Sequence, residues 1–115
     1  MPTAQELLAH AYDAFNARDV DAVLAMMHPD VVWPNGMEGG HLHGHRAVRE
    51  YWARQWLTLD PHVDPVGFRE EDGLTVVEVR QVVRDRAGTV MAEQTVQHVY
   101  LIRDGLIQRM DIRRP

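Results

Sequence analysis

Asn35, Gln81, Glu93, Thr95 and Gln97 are the polar side chains that alternation and turn register bring to one face of a sheet, where they can act on a bound molecule. Glu93 is the one carboxylate among them. Buried beside apolar walls, its pKa would rise, which suits proton transfer near neutral pH. Gln81, opposite it on this register, would orient it; the alternative is a solvated Glu93 near its hairpin end. Asn35 and Gln97 hold no titratable proton but donate hydrogen bonds to a carbonyl or enolate oxygen. Their plain alternative is lining. Trp33, Trp52, Trp56, Phe15, Tyr12 and Met110 are the candidate apolar walls, and Val99 and Ile112 share the face. An apolar cavity with a few convergent polar groups is the usual design for small molecules. Otherwise the tryptophans are core and the amides satisfy one another.

The histidines offer less. His41, His43 and His45 alternate, as metal ligands do, but no carboxylate or second cluster completes a site. No metal and no cofactor is expected. His62, in Asp60-Pro61-His62, lies at the exit of a tryptophan-bearing helix, either in a surface turn or at the pocket mouth. His98 opposite Asp111, and Tyr100 opposite Arg109, read as outer-face structural or interface pairs.

These residues need elements to hold them. Thr3 and Glu6 form a capping box ahead of a helix whose Ala4, Leu8, Ala11, Tyr12 and Phe15 share a face. Asp19 caps a short second helix, which His28-Pro29-Asp30 breaks. Val31-Val32-Trp33 is a short strand, and Pro34 to Gly44 is a glycine-rich loop. A third helix runs from about His45 to Leu59 and stops at Pro61. Val63 to Glu70, which contains a proline, is an edge strand. Leu74 to Arg84, Thr89 to Ile102 and Leu106 to about Arg113 are further strands. Asp85-Arg86-Ala87-Gly88 reads as a turn with glycine in the left-handed position, and Asp104-Gly105 as a two-residue type I′ hairpin.

The turns imply a register. From Asp104-Gly105, Arg103 opposes Leu106, Val99 opposes Met110 and Gln97 opposes Ile112. From the first hairpin, Gln81 opposes Glu93, Val79 opposes Thr95 and Val77 opposes Gln97. The other face then carries Val96, His98, Tyr100, Arg109 and Asp111. It is too apolar for bare surface, so a homodimer through it is expected. A one-residue error in the first hairpin would exchange Glu78 and Arg80 with Gln81.

Composition bounds the reading. The 115 residues suit one domain, 1–115. Twelve Lys+Arg, all arginine, stand against 17 Asp+Glu, for a net charge of −5, which argues against nucleic-acid binding. There is no cysteine, so no disulfide or thiolate chemistry. Neither a signal segment nor a membrane-spanning stretch is evident, and a cytoplasmic protein with no membrane partner is expected.

Several segments carry a family resemblance. Ala11 to Leu24, with Asn16-Ala17-Arg18-Asp19 between two helices, resembles the opening of nuclear transport factor 2-like proteins, the superfamily of SnoaL-like and ketosteroid isomerase-like domains. His28 to Trp33, Gly44 to Trp52 and Gln97 to Ile107 resemble its first strand, third helix and last hairpin. The resemblance implies an α+β, cone-shaped domain: three N-terminal helices on a curved, mostly antiparallel sheet enclosing an apolar pocket. It does not carry over the known catalytic sets. The positions of the ketosteroid isomerase tyrosine, general base and protonated acid fall on Ala11, Asn35 and Gln97. That of a limonene epoxide hydrolase aspartate falls on Ile112. The expected function is a small-molecule enzyme using proton transfer on an apolar, oxygen-bearing molecule, of isomerase, dehydratase, cyclase or hydrolase type. The alternatives are a noncatalytic lipophile-binding domain and a homodimeric interaction module.

Overall fold

The computed structural model describes residues 3–114. Helix α1 (Ala4–Asn16) starts where its capping box dictates: Thr3 Oγ1 accepts from the Glu6 amide at 3.1 Å, and Glu6 Oε1 accepts from the Thr3 amide at 3.2 Å. Asp19 caps α2 (Val20–Ala25), accepting from the Ala22 amide at 3.2 Å. Strand β1 (Met27–Pro34) begins at Met27 rather than Val31, because His28-Pro29-Asp30 is extended. A short strand, β2 (His41–His43), lies within the glycine-rich segment. Then come α3 (Gly44–Thr58), β3 (Leu59–Glu71), β4 (Leu74–Asp85), β5 (Val90–Arg103) and β6 (Leu106–Arg113).

The six strands form one mixed sheet in the order β2-β1-β6-β5-β4-β3, with β1 and β6 parallel and the other pairs antiparallel. Strand β3, with Pro61 and Pro65, is an edge, where a missing N–H costs no ladder bond. The helices pack on one face: Leu8, Leu24, Val48 and Trp52 meet Val31, Val77, Val79, Val96 and Ile107 in one core. Each such side chain contributes about 1.5–3 kcal/mol by leaving water. Asn16, closing α1, ties that helix to β3 through both backbone groups of Val63: its Nδ2 donates to the carbonyl at 2.8 Å and its Oδ1 accepts from the amide at 3.0 Å.

Both expected turns are present. Asp104 and Gly105 take φ of +54° and +75°, as type I′ requires, and Arg103 opposes Leu106. Asp72-Gly73, at φ of +52° and +80°, makes a similar turn between β3 and β4. The register beyond the turns differs from expectation. Arg84 opposes Val90, but Val83 opposes Ala92, so Met91 is an extra residue in β5. Ile102 opposes Ile107, but Leu101 opposes Arg109, so Gln108 is extra in β6.

These two bulges exchange the faces of β5. Gln97 opposes Arg113 and Glu78, not Ile112 and Val77; Val99 opposes Asp111, not Met110. Gln81 opposes Gln94 and Glu93 opposes Val82. His98 and Tyr100 oppose Ile112 and Met110 rather than Asp111 and Arg109. Val96, His98 and Tyr100 are therefore buried on the helix side and cannot form an outer-face interface.

Candidate functional site

Between the helices and the inner face of the sheet lies a cavity of about 100 Å³. Its walls come from distant segments. Helix α1 contributes Tyr12 and Phe15, β1 contributes Trp33, and α3 contributes Tyr51, Trp52 and Gln55. Strand β4 supplies Gln81, β5 supplies His98 and Tyr100, and β6 supplies Met110 and Ile112. The aromatic rings meet mostly edge to face: Trp52 stands at 89° to Trp33 with centroids 5.7 Å apart, and at 70° to Phe15 with centroids 5.3 Å apart. Such contacts fix ring positions beyond what area burial does. None of the described residues lining the cavity is Asp, Glu or Arg.

The polar centre is a chain of three buried groups. Tyr100 Oη donates to Tyr12 Oη at 2.8 Å, and Tyr12 Oη lies 2.8 Å from His98 Nδ1. Tyr12 follows Leu8 by one helical turn and so faces inward with it, while His98 and Tyr100 are two apart on β5 and share its inner face. His98 Nε2 has no protein partner among the described residues. It is also not sealed, since the only fully enclosed and unpartnered side-chain polar atom there is Trp56 Nε1. His98 is itself among the residues that line the cavity.

Burial sets the electrostatics of this chain. It pushes the His98 pKa down from 6.5 to about 4, so the imidazole is neutral near neutral pH. It pushes both Tyr12 and Tyr100 up, and for Tyr12 the neighbouring Tyr100 adds to the effect. Tyr51 is also raised by burial, partly offset by the Gly36 amide that donates to its Oη at 3.2 Å. Gln55 Nε2 donates to the same oxygen at 3.5 Å, so the Tyr51 hydroxyl proton has no protein acceptor among the described residues.

The sequence-derived site residues divide. Tyr12, Phe15, Trp33, Trp52, Gln81, Met110 and Ile112 line the cavity. Trp56 lies behind them, its ring centroid 5.7 Å from that of Phe15 and 5.0 Å from the Arg18 guanidinium carbon. Glu93 is on the outer face, half-exposed and paired with Arg80, so the expected burial does not arise. Thr95 is exposed on the same face, and Val99 lies there too. Gln97 is held on that face: its Nε2 donates to Glu78 Oε1 at 2.5 Å, and its Oε1 accepts from Arg113 Nε at 2.6 Å. Asn35 closes a turn, its Oδ1 accepting from the Met37 and Glu38 amides at 3.2 and 2.9 Å.

Three of the other histidines have structural partners. His41 Nε2 lies 2.9 Å from Asp111 Oδ1, His45 Nε2 lies 2.9 Å from the Met27 carbonyl, and His62 Nε2 lies 3.1 Å from Asp64 Oδ1. Among the described residues no group of His, Asp and Glu is arranged to hold a metal ion. Nor is any described helix long and apolar enough to cross a membrane.

Sequence reasoning missed His98, Tyr100 and Tyr51 as site residues. A signal was present for two of them. Along β5, Val96, His98, Tyr100 and Ile102 alternate with Glu93, Thr95, Gln97 and Arg103, and the more apolar set belongs inside.

The fold has counterparts among known proteins. The SnoaL-like domain family matches residues 8–110. Among solved structures, TerC, co-crystallised with polyporic acid, is 32% identical; the match covers 96% of this chain and 89% of that one, with a TM-score of 0.82. An NTF2-like protein of unknown function from Burkholderia pseudomallei is 27% identical over 100% of this chain and 92% of its own, with a TM-score of 0.85. An LEH-like epoxide hydrolase from M. tuberculosis, 16% identical over 92% of this chain and 77% of its own with a TM-score of 0.73, shares the fold alone. Comparison with curated proteins gives no match. Three helices on a curved mixed sheet, with a family match over most of the length, place the chain in the SnoaL-like domain family of the nuclear transport factor 2-like superfamily.

Proposed function

We propose that the chain is a small-molecule enzyme that moves a proton on an uncharged, ring-bearing, oxygen-containing substrate held in the aromatic cavity, with His98 as the proton-handling group. The observation that carries this is the buried chain Tyr100–Tyr12–His98, which ends on a histidine lining a cavity without charged walls. A neutral imidazole is a competent base, and a tyrosine on its far nitrogen fixes its orientation. The Tyr51 hydroxyl, with its proton unclaimed, is suited to hold a substrate oxygen. The similarity to TerC, co-crystallised with polyporic acid, supports a cavity that accepts small organic molecules. Charged substrates are disfavoured, because a carboxylate or phosphate in the cavity would have no cationic partner there.

The test is hydrogen–deuterium exchange at the α-carbon of uncharged cyclic and aryl ketones in D2O, followed by NMR. Wild-type protein should accelerate exchange for at least one ketone that fits the cavity. His98→Gln should reduce the acceleration by about 100-fold or more, the usual share of a general base. Ketone binding without exchange would make the protein a lipophile-binding domain and overturn the enzymatic reading. Undiminished exchange in His98→Gln would remove His98 from the reaction.

A further inference from the structure

We infer that Tyr12, His98 and Tyr100 act as a neutral two-proton relay, and that the substrate class fitting it is an uncharged keto–enol pair, which loses a proton at carbon as it gains one at oxygen. This rests on the proton-transfer reading above.

The argument begins from hydrogen-bonding capacity. A tyrosine hydroxyl donates one bond and accepts two; a neutral imidazole donates from one nitrogen and accepts at the other. With Tyr100 Oη, Tyr12 Oη and His98 Nδ1 in line at 2.8 Å and 2.8 Å, the protons can be laid out in two ways. In one, Tyr100 donates to Tyr12, Tyr12 donates to Nδ1, and Nε2 carries a proton toward the cavity. In the other, Nδ1 donates to Tyr12, Tyr12 donates to Tyr100, the Tyr100 proton is free for a ligand, and Nε2 is bare. All three groups are neutral in both arrangements. They differ in which end of the chain presents the spare proton.

A keto substrate converts the second arrangement into the first. Nε2 takes the proton from the α-carbon, and the C–H electron pair becomes the carbon–carbon double bond. The Nδ1 proton passes to Tyr12, the Tyr12 proton to Tyr100, and the Tyr100 proton to the carbonyl oxygen, which receives the π pair. One proton enters at nitrogen and one leaves at oxygen, so atoms and charge balance without a co-reactant. The enol returns by the reverse path.

The surroundings favour this concerted route. Tyr12, His98 and Tyr100 are each less than a tenth exposed, and no described lining residue carries a charge to stabilise an imidazolium or a phenolate. Burial disfavours the charged form of each. A stepwise transfer would create one of those ions; the relay creates neither.

The substrate-free test is NMR of protein labelled with ¹⁵N-histidine. In wild type both ring nitrogens of His98 should show averaged signals from two exchanging tautomers. Tyr100→Phe does not touch the His98 ring nitrogens but removes the far acceptor, so the Tyr12 proton turns to Nδ1 and His98 should shift to the Nε2–H tautomer. With the best ketone from the exchange assay, the rate in H2O/D2O mixtures should follow a curve, as several protons in flight require. A His98 tautomer unmoved by Tyr100→Phe, or a straight-line isotope dependence, overturns the relay and leaves His98 as a lone base. Absence of any catalysed exchange overturns the proposed activity and the substrate class with it.

Discussion

Acid should destabilise this protein through His98. The buried imidazole has a folded-state pKa of about 4, against 6.5 for the free side chain. Because the folded pKa lies below the unfolded one, the unfolded chain binds the extra proton between these values. Stability is then complete above pH 6.5 and falls as pH drops toward 4. At pH 5 the unfolded histidine is favoured by the ratio (1 + 10^1.5)/(1 + 10^−1), roughly 30, which is a loss of about 2 kcal/mol relative to pH 7.5. That is a substantial part of the roughly 5–15 kcal/mol that holds a small domain folded. Urea unfolding of wild type and His98→Gln at both pH values isolates the term, since glutamine keeps an acceptor for Tyr12 but cannot titrate. The wild-type loss from pH 7.5 to 5 should exceed that of the variant by about 2 kcal/mol, or a midpoint shift of about 1–2 M urea. Losses equal within about 0.5 kcal/mol would refute the neutral, buried state of His98 on which the site is built.

Trp33→Ala should weaken binding of aromatic ketones by about tenfold or more, since it strips one wall of the cavity; titration calorimetry reads it. Gln97→Leu should leave that binding unchanged, because Gln97 lies on the opposite face, and should cost about 1 kcal/mol of stability through its bonds to Glu78 and Arg113. Asn16→Ala should cost about 1–3 kcal/mol in chemical denaturation, because both backbone groups of Val63 lose their side-chain partner.

The helices, strands and turns were legible because each has a local cause. Thr3 with Glu6, Asp19, and Asp104-Gly105 state their geometry within a few residues. So were four of the walls contributed by helices and by β1, Tyr12, Phe15, Trp33 and Trp52, although Trp56, expected by the same periodicity, lies behind the cavity. The polar centre was not legible in the same way. It depends on which face of β5 looks inward, and a turn fixes that only up to the first irregularity in the ladder. Glu93 and Gln97 were placed inside, and His98 and Tyr100 outside, by extrapolating an unbroken register from both ends of one strand. Tyr51 was placed on no wall; its role rests on contacts with Gly36 and Gln55, one of them across a loop.

The bulges themselves have a physical cause in the charges they displace. Continued without Gln108 as an extra residue, the last hairpin would pair Tyr100 with Arg109 and His98 with Asp111. With His98 and Tyr100 facing inward, that pairing would turn an arginine and an aspartate into the cavity. Burying those ions would cost several kcal/mol apiece unless they were fully paired. Skipping one residue forfeits part of the ladder, on the order of 1 kcal/mol per hydrogen bond. The cheaper arrangement leaves Arg109 and Asp111 outside, where Arg109 Nε donates to Asp111 Oδ2 at 2.7 Å and His41 meets the same carboxylate, and brings Met110 and Ile112 in. Met91 acts similarly at the other end, keeping Glu93, Thr95 and Gln97 off the wall while Val96, His98 and Tyr100 turn inward. The irregularities that hid the site from a register argument are thus what keep its cavity uncharged, and an uncharged cavity is the condition under which a neutral histidine–tyrosine chain can handle protons.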